Sequence, residues 1–415
     1  MRFIISFIKK NNFFFSSAVI LFLFTNFANI SSYFFQILVG RNLDTNLYSV
    51  FQTLNSFSTL FTILMSILIF GILKYSNDKK KEYINFFYLI SLIFIVFIFL
   101  IFISYRLIGK LFLLNISFDL IFVSQITSIL IIFLSIPYAI LQFKKKIFIY
   151  SLASSFTLFI KLILLILCLY FLEFSITELI YLVFISVILS IIFSYYFVLK
   201  DIFNNTVKIN FIIFLKDSPK YLSNSFFYYL SFTIIFNLDI PLSRIFLDQS
   251  QFGSYAASST IAKIPYYLFS IILPILLPEL LSRDPNKRSK SYLLISLSGL
   301  SFGCFFLLIL TYLYPNLILS ITFGLAYNSE INFLFILTLS FFIICIFNFY
   351  LLYLLSENNI LPSLIFFVGG LIYFIFLKIL NLGDFFVYIH LSTSIIMLII
   401  ATVHYIFSKK TLFNF

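Results

Sequence analysis

The hydrophobic pattern divides this chain of 415 residues into about twelve apolar stretches. Each is long enough to cross a bilayer, for which roughly 20 residues suffice. They fall near 13–39, 47–73, 84–104, 118–141, 149–171, 178–199, 221–246, 252–280, 291–314, 331–355, 361–380 and 385–407. Most connections are short, so neighbouring helices should be antiparallel. The longest polar connection, about 200–220, contains Phe211-Ile-Ile-Phe-Leu215. That segment is too short to span and suits an amphipathic helix lying in the membrane interface. The connection splits the chain into an expected N-terminal lobe (1–205) and C-terminal lobe (206–415), each of six spans. Six is even, so both lobes enter from the same side, and a repeat between them would be parallel. The predicted fold class is therefore all-α: a polytopic membrane protein of about twelve helices in two pseudo-symmetric six-helix lobes.

Composition and charge sharpen this picture. An apolar fraction of 62% with 10% charged residues excludes an ordinary soluble domain. The net charge of +12 is distributed unevenly. Of 27 Lys and Arg residues, 20 lie on one set of alternate loops, including Lys79–Lys81, Lys144–Lys146, Lys208 and Arg288. Five lie on the other set: Arg41, Arg106, Lys110, Arg244 and Lys378. This is the positive-inside pattern, with both termini cytoplasmic. The charge is thus a topology signal, and no nucleic-acid partner is expected. Reporter fusions at Lys145 and Arg288 should give cytoplasmic-type activity; periplasmic-type activity at either position would refute this layout. The basic N-terminus and the run from Phe13 to Val39 read as a retained first helix, because no cleavage site precedes a polar region. Cys168, Cys304 and Cys345 lie far apart in apolar stretches and read as packing residues.

The two halves also share a motif. Residues 43–51, Leu43-Asp44-Thr-Asn-Leu-Tyr48-Ser49-Val-Phe51, match Leu247-Asp248-Gln-Ser-Gln-Phe252-Gly253-Ser-Tyr255 at an offset of 204. Both fit Leu-Asp-x-x-x-aromatic-small-x-aromatic, and both lead through a long helix to a basic loop. The stretch from Gly40 through Arg41 to Tyr48 resembles the R-x-L-G-P-x-x-[YF]-G signature of bacterial polysaccharide exporters. In it, Asp44 replaces the usual Gly and Thr45 the usual Pro. The region Asp239…Arg244, Phe252–Tyr255, Lys263-Ile-Pro265, Pro274 and Pro278, and Phe323-Gly-Leu-Ala-Tyr327, resembles the O-antigen and capsule repeat-unit flippases. These families belong to the multidrug/oligosaccharidyl-lipid/polysaccharide exporter superfamily. The resemblance implies two lobes around a central cavity and alternating access. It implies an undecaprenyl-diphosphate-linked oligosaccharide as substrate, moved across the bacterial cytoplasmic (inner) membrane. Membrane lipids and the polysaccharide polymerase machinery are the further expected partners.

Several residues are candidates for the work. Lys161 and Lys263 fall inside apolar stretches, where a cation is costly unless it faces protein or water. Ser154 and Thr157 share a face with Lys161; Ser259, Tyr266, Tyr267 and Ser270 flank Lys263. One reading is a solvated cavity whose lysines attract the diphosphate. The other is that each lysine snorkels or pairs with a carboxylate for assembly. Polar stripes run along span 1 (Asn26, Asn29, Tyr33, Gln36) and span 2 (Gln52, Asn55, Thr59, Thr62, Ser66). Such stripes line a cavity or another helix; amides with aromatics suit sugar hydroxyls. Asp239 with Arg244, and Arg41 with Asp44, read as a gate or coupling pair, or as structural ion pairs. His390 and His404 read as packing or interface residues. Pro137, Pro241, Pro265, Pro274, Pro278 and Pro362 are candidate helix kinks.

No phosphate-binding glycine loop, metal cluster or nucleophile–base pair is present in the sequence, so no enzyme activity and no cofactor are expected. Coupling to a proton or to sodium stays open. Three alternatives remain. A membrane polysaccharide polymerase needs a large external loop, and the longest here has about 15 residues. A multidrug or cation antiporter of the same superfamily favours a buried acid, whereas Lys161 and Lys263 are both positive. A peptidoglycan-precursor flippase typically carries two further C-terminal spans.

Overall fold

The computed structural model describes residues 12–78, 117–171, 174–199, 239–269, 287–330, 332–356 and 386–412, with 369–370 and single positions between 224 and 237. The described elements are α1 (Asn12–Asn42), α2 (Thr45–Asp78), α3 (Phe118–Ile132), α4 (Ser135–Phe143), α5 (Ile147–Phe171) and α6 (Ile176–Tyr196) in the first half. In the second half they are α7 (Asp239–Phe246), α8 (Gln249–Ala262), α9 (Ile264–Phe269), α10 (Lys287–Leu313), α11 (Pro315–Thr322), a 3-10 turn (Leu325–Glu330), α12 (Asn332–Ser356) and α13 (Phe386–Leu412). There is no strand among the described residues. The expected spans at 84–104 and 361–380, the 211–215 segment, and Pro274, Pro278 and Pro362 lie outside them.

Five helical segments among the described residues are long and apolar enough to cross a membrane: 19–42, 119–143, 147–171, 176–196 and 386–404. The way they expose side chains fits a lipid surround. On α1, Leu23, Phe27, Ile30 and Phe34 face outward, while Ala28, Phe35 and Val39 are buried. On α10, Phe302, Phe305, Phe306 and Ile309 are exposed. Lipid tails are as apolar as these side chains, so association here rests on close packing. Accordingly α8 is built of small residues, with Ser254, Ala256, Ala257, Ser258 and Ser259 fully buried. It packs against α2 of the other half, and α9 packs against α1.

Two expected spans are broken, each near a proline, and a third proline turns the chain just after the 291–314 span. The 118–141 span breaks at 133–134, between α3 and α4. Pro137 has no N–H to offer the Phe133 carbonyl, one turn back. The Tyr195 hydroxyl of α6 donates to that oxygen instead, at 3.1 Å. The 252–280 span breaks at Lys263, where Pro265 has no N–H for the Ile261 carbonyl. Pro315 opens α11, which leaves α10 at 96°.

The repeated motif has one local structure in both halves. α1 ends at Asn42, bends at Leu43, and α2 starts after Asp44; α7 ends at Phe246, bends at Leu247, and α8 starts after Asp248. In each, the Asp carbonyl accepts the backbone N–H of the aromatic four residues on, Tyr48 at 2.9 Å and Phe252 at 2.8 Å. Tyr48 and Phe252 are both buried.

Candidate functional site

The two motif regions meet at one end of the bundle. Gly253 of α8 lies so close to Thr45 of α2 that a Cβ added there would stand 3.1 Å from the Thr45 Cβ. Arg244 of α7 donates to the Ser49 hydroxyl of α2 at 3.1 Å and lies over the Phe252 ring. The Phe323–Tyr327 segment joins the same contact. The Tyr327 hydroxyl donates to the Gly40 carbonyl at 2.9 Å. The rings of Tyr48, Phe323 and Tyr327 pack mutually, with centroids 5.5–5.7 Å apart. A Cβ on Gly40 would fall 2.6 Å from the Phe323 ring, so only glycine fits there without displacing it. Arg41 donates from Nε to the Thr322 carbonyl at 3.0 Å, and from its second guanidinium nitrogen to the Ile321 carbonyl. These are last-turn carbonyls of α11, where a cation also complements the helix dipole. Arg41 thus joins the halves through a helix end, and Asp44 sits exposed at the α1–α2 bend.

Asp239 and Lys263 form a buried ion pair. Lys263 Nζ lies 2.8 Å from Asp239, and both side chains are at most 6% exposed. The carboxylate also accepts from the Ser259 hydroxyl at 2.6 Å and the Tyr255 hydroxyl at 3.3 Å. The ammonium lies over the Phe341 and Phe236 rings, and His390 packs on Phe341. Two expectations are corrected here. Asp239 turns to Lys263 while Arg244 reaches Ser49, because five residues on a helix put the two side chains on different faces. The buried charges are also not all positive: α7 and α8 are joined by a short bend, so Asp239 returns beside α8, and the long lysine stem bridges the offset in depth.

Lys161 has different surroundings. It sits about 21 Å along α5 from Ile147 and about 15 Å from Phe171, at 1.5 Å per residue, which is mid-membrane depth. Its ammonium lies over the buried Phe35 ring of α1, 4.3 Å from the centroid. No carboxylate lies within ion-pair distance of it among the described residues. The neighbouring Ser154 hydroxyl bonds its own helix at the Ser151 carbonyl, and Thr157 lies beside the Tyr138 hydroxyl.

The polar stripes divide into four groups. Gln52 donates to Gln36 at 2.5 Å and to the Tyr48 hydroxyl at 2.7 Å, so it ties α2 to α1. Thr59 and Thr62 bond carbonyls of their own helix. Asn55 lines a small cleft with Ser58, Ser124 and Thr127, inside the first half. Across the halves, Asn29 donates to the Tyr267 carbonyl at 2.8 Å, and the Tyr33 and Tyr267 rings meet edge to face. Asn26 lies on the same α1 face. His390 is buried, its Nε2 3.4 Å from the Ile235 carbonyl. Sequence spacing marks Gly40, Tyr48, Phe323 and Tyr327 as motif residues. It does not bring residues 283 positions apart into one contact, and Phe35 beneath Lys161 carries no signal at all.

This arrangement of helices is the fold of several solved membrane proteins. The chain has a TM-score of 0.71 to the lipid II flippase MurJ in its inward closed conformation, at 19% identity, over 94% of this chain and 87% of that one. It has a TM-score of 0.66 to an outward-facing multidrug resistance MATE family transporter of the MOP superfamily, at 13% identity, over 95% and 96%. A eukaryotic MATE transporter gives 0.64 at 13% identity, over 96% of each chain. No protein-family model matches the chain, and no curated protein sequence matches it.

Proposed function

We propose that this chain is a flippase that carries undecaprenyl-diphosphate-linked oligosaccharide repeat units, of the O-antigen or capsule type, from the cytoplasmic to the periplasmic leaflet by alternating access of two lobes, 1–205 and 206–415. The observation that carries this reading is Lys161. A lysine at mid-bilayer depth costs about 3 kcal/mol on insertion scales. Its contact with Phe35 returns about 1–2 kcal/mol at most. The remainder is met by water and, during transport, by an anion; a diphosphate is the anion that a lipid-linked sugar presents. On this reading, the contacts of Gly40 and Tyr48 with Phe323 and Tyr327, and of Arg41 with the end of α11, close the periplasmic end. Lys263 belongs to the assembly of the second lobe, with Asp239 as its partner.

The expected result is concrete. In proteoliposomes holding a fluorescent undecaprenyl-diphosphate-linked oligosaccharide, Lys161→Ala lowers the flipping rate at least ~10-fold, the equivalent of about 1.4 kcal/mol. Lys161→Arg keeps a substantial part of the rate, because charge is the requirement and geometry is loose. Wild-type rates in Lys161→Ala, at equal protein, reject the electrostatic role.

A multidrug or cation antiporter is the second reading, favoured by the MATE neighbours and by the buried Asp239. It needs a carboxylate open to a cation, and Asp239 is already matched by Lys263, Ser259 and Tyr255. Drug-driven cation release from the same proteoliposomes, without glycolipid flipping, would select it.

A further inference from the structure

Two side-chain oxygens on one face of α1 are buried without a hydrogen-bond partner: Asn26 Oδ1 and Tyr33 Oη. A buried polar atom left unpaired is costly, and native proteins leave few of them. Asn26 and Tyr33 are two helical turns apart and share a face with Asn29. All three lie about 14–24 Å along α1 from Asn42, at 1.5 Å per residue, so they sit well inside the membrane. Lipid cannot satisfy them at that depth, whereas a polar surface opened between the lobes can.

Their surroundings are specific. Asn29 donates to the Tyr267 carbonyl of α9, one of several hydrogen bonds that join the two halves. The Tyr33 and Tyr267 rings meet 6.5 Å apart, and Tyr267 packs edge to face on Phe236 and Tyr266. The cluster therefore offers amide and phenol groups beside aromatic faces, and its named members carry no charge. A diphosphate would gain nothing from it. Ring hydroxyls would pair with the amide and the phenol, and the apolar face of a pyranose would lie on the tyrosines. A site with mostly aromatic walls and a few convergent polar groups is the usual form of a small-molecule pocket.

We propose that Asn26, Tyr33 and Tyr267 form a neutral subsite for the sugar residues of the transported lipid, uncovered when the Asn29–Tyr267 bond between the lobes opens. This deepens the flippase reading and rests on it. It separates the labour: Lys161 meets the diphosphate, and this α1–α9 face meets the saccharide. Parting the lobes exposes both unpaired oxygens at once, so the closed arrangement stores an unmet hydrogen-bonding demand that the sugar satisfies.

The test uses the full-length protein in nanodiscs, with native mass spectrometry reading lipid occupancy. The probes are undecaprenyl diphosphate and the same lipid carrying a tetrasaccharide of hexoses and N-acetylhexosamines. The wild-type chain is expected to bind the glycolipid at least ~10-fold more tightly than the bare diphosphate. Tyr33→Phe removes one oxygen and keeps the ring contact, so folding is preserved; combined with Asn26→Ala it should reduce that ratio to about 1–2, with bare diphosphate binding unchanged. Lys161→Ala should weaken both lipids by the same factor. An unchanged ratio in the Asn26/Tyr33 variant overturns the subsite and leaves the flippase reading standing; it is also the outcome expected if water alone fills this face. Failure of the wild-type chain to bind either lipid overturns the flippase reading itself, and the subsite with it.

Discussion

Asp239→Asn and Lys263→Met are each expected to destabilise the chain by about 3–5 kcal/mol, the usual cost of leaving one member of a buried ion pair alone. In Lys263→Met the carboxylate keeps only the Ser259 and Tyr255 hydroxyls, neutral donors in a site from which water is excluded. In Asp239→Asn the ammonium keeps the Phe236 and Phe341 rings, whose attraction is weaker than a carboxylate's. The double variant Asp239→Asn/Lys263→Met should regain most of the loss, since an apolar replacement of a buried pair is often neutral or stabilising. Thermal unfolding in detergent and abundance in the membrane measure this. Single variants as stable as the wild type would show that the pair is not structural, and would return Lys263 to the transport path.

The second large effect is expected at the Gly40 end. Cysteines at positions 45 and 253 should form a disulfide once the two helices part by a few tenths of an ångström, because the Cβ positions there stand 3.1 Å apart against the usual 3.5–4.5 Å. If the proposed periplasmic gate lies here, that bond should stop flipping almost completely, and a reductant should restore it. The native cysteines are buried and unpaired, so they do not compete. Gly40→Ala makes the opposite change: the new methyl meets Phe323, which is held between Tyr48 and Tyr327 and has little room to yield. Cross-linking of the 45–253 pair should then fall several-fold, and transport with it. A bridge that forms fully while transport continues would show that this end does not open in the cycle.

Both expectations concern contacts that are only partly legible in the chain. The repeat was readable because an Asp that ends one helix and starts the next leaves a local signature, at Asp44 and again at Asp248. The polar stripe of α1 was readable because Asn26, Asn29 and Tyr33 recur at helical spacing in an apolar background. Their partners were not. Tyr267 receives Asn29 across 238 positions, and nothing near either residue encodes that distance. Asp239 shows how a partner is set by tertiary packing. Five residues of helix rotate Arg244 away from it, and the bend at Leu247 brings α8, with Lys263, back beside Asp239.

By itself the sequence determined that this is an all-helical, many-span membrane protein, because a bilayer admits few solutions to a chain with such long apolar runs. It also gave an expected orientation, through the loop bias of Lys and Arg, and marked Pro137 and Pro265, next to which helices break. Tertiary structure alone decided which charges are matched and which are not. Lys161 and Lys263 look alike in sequence, each a lone cation in an apolar run with hydroxyls one turn away. Folding gives Lys263 a carboxylate from another helix and gives Lys161 a phenylalanine ring. Charge pairing depends on distances between helices that are remote in the chain, whereas span formation depends only on the local cost of putting each segment in lipid.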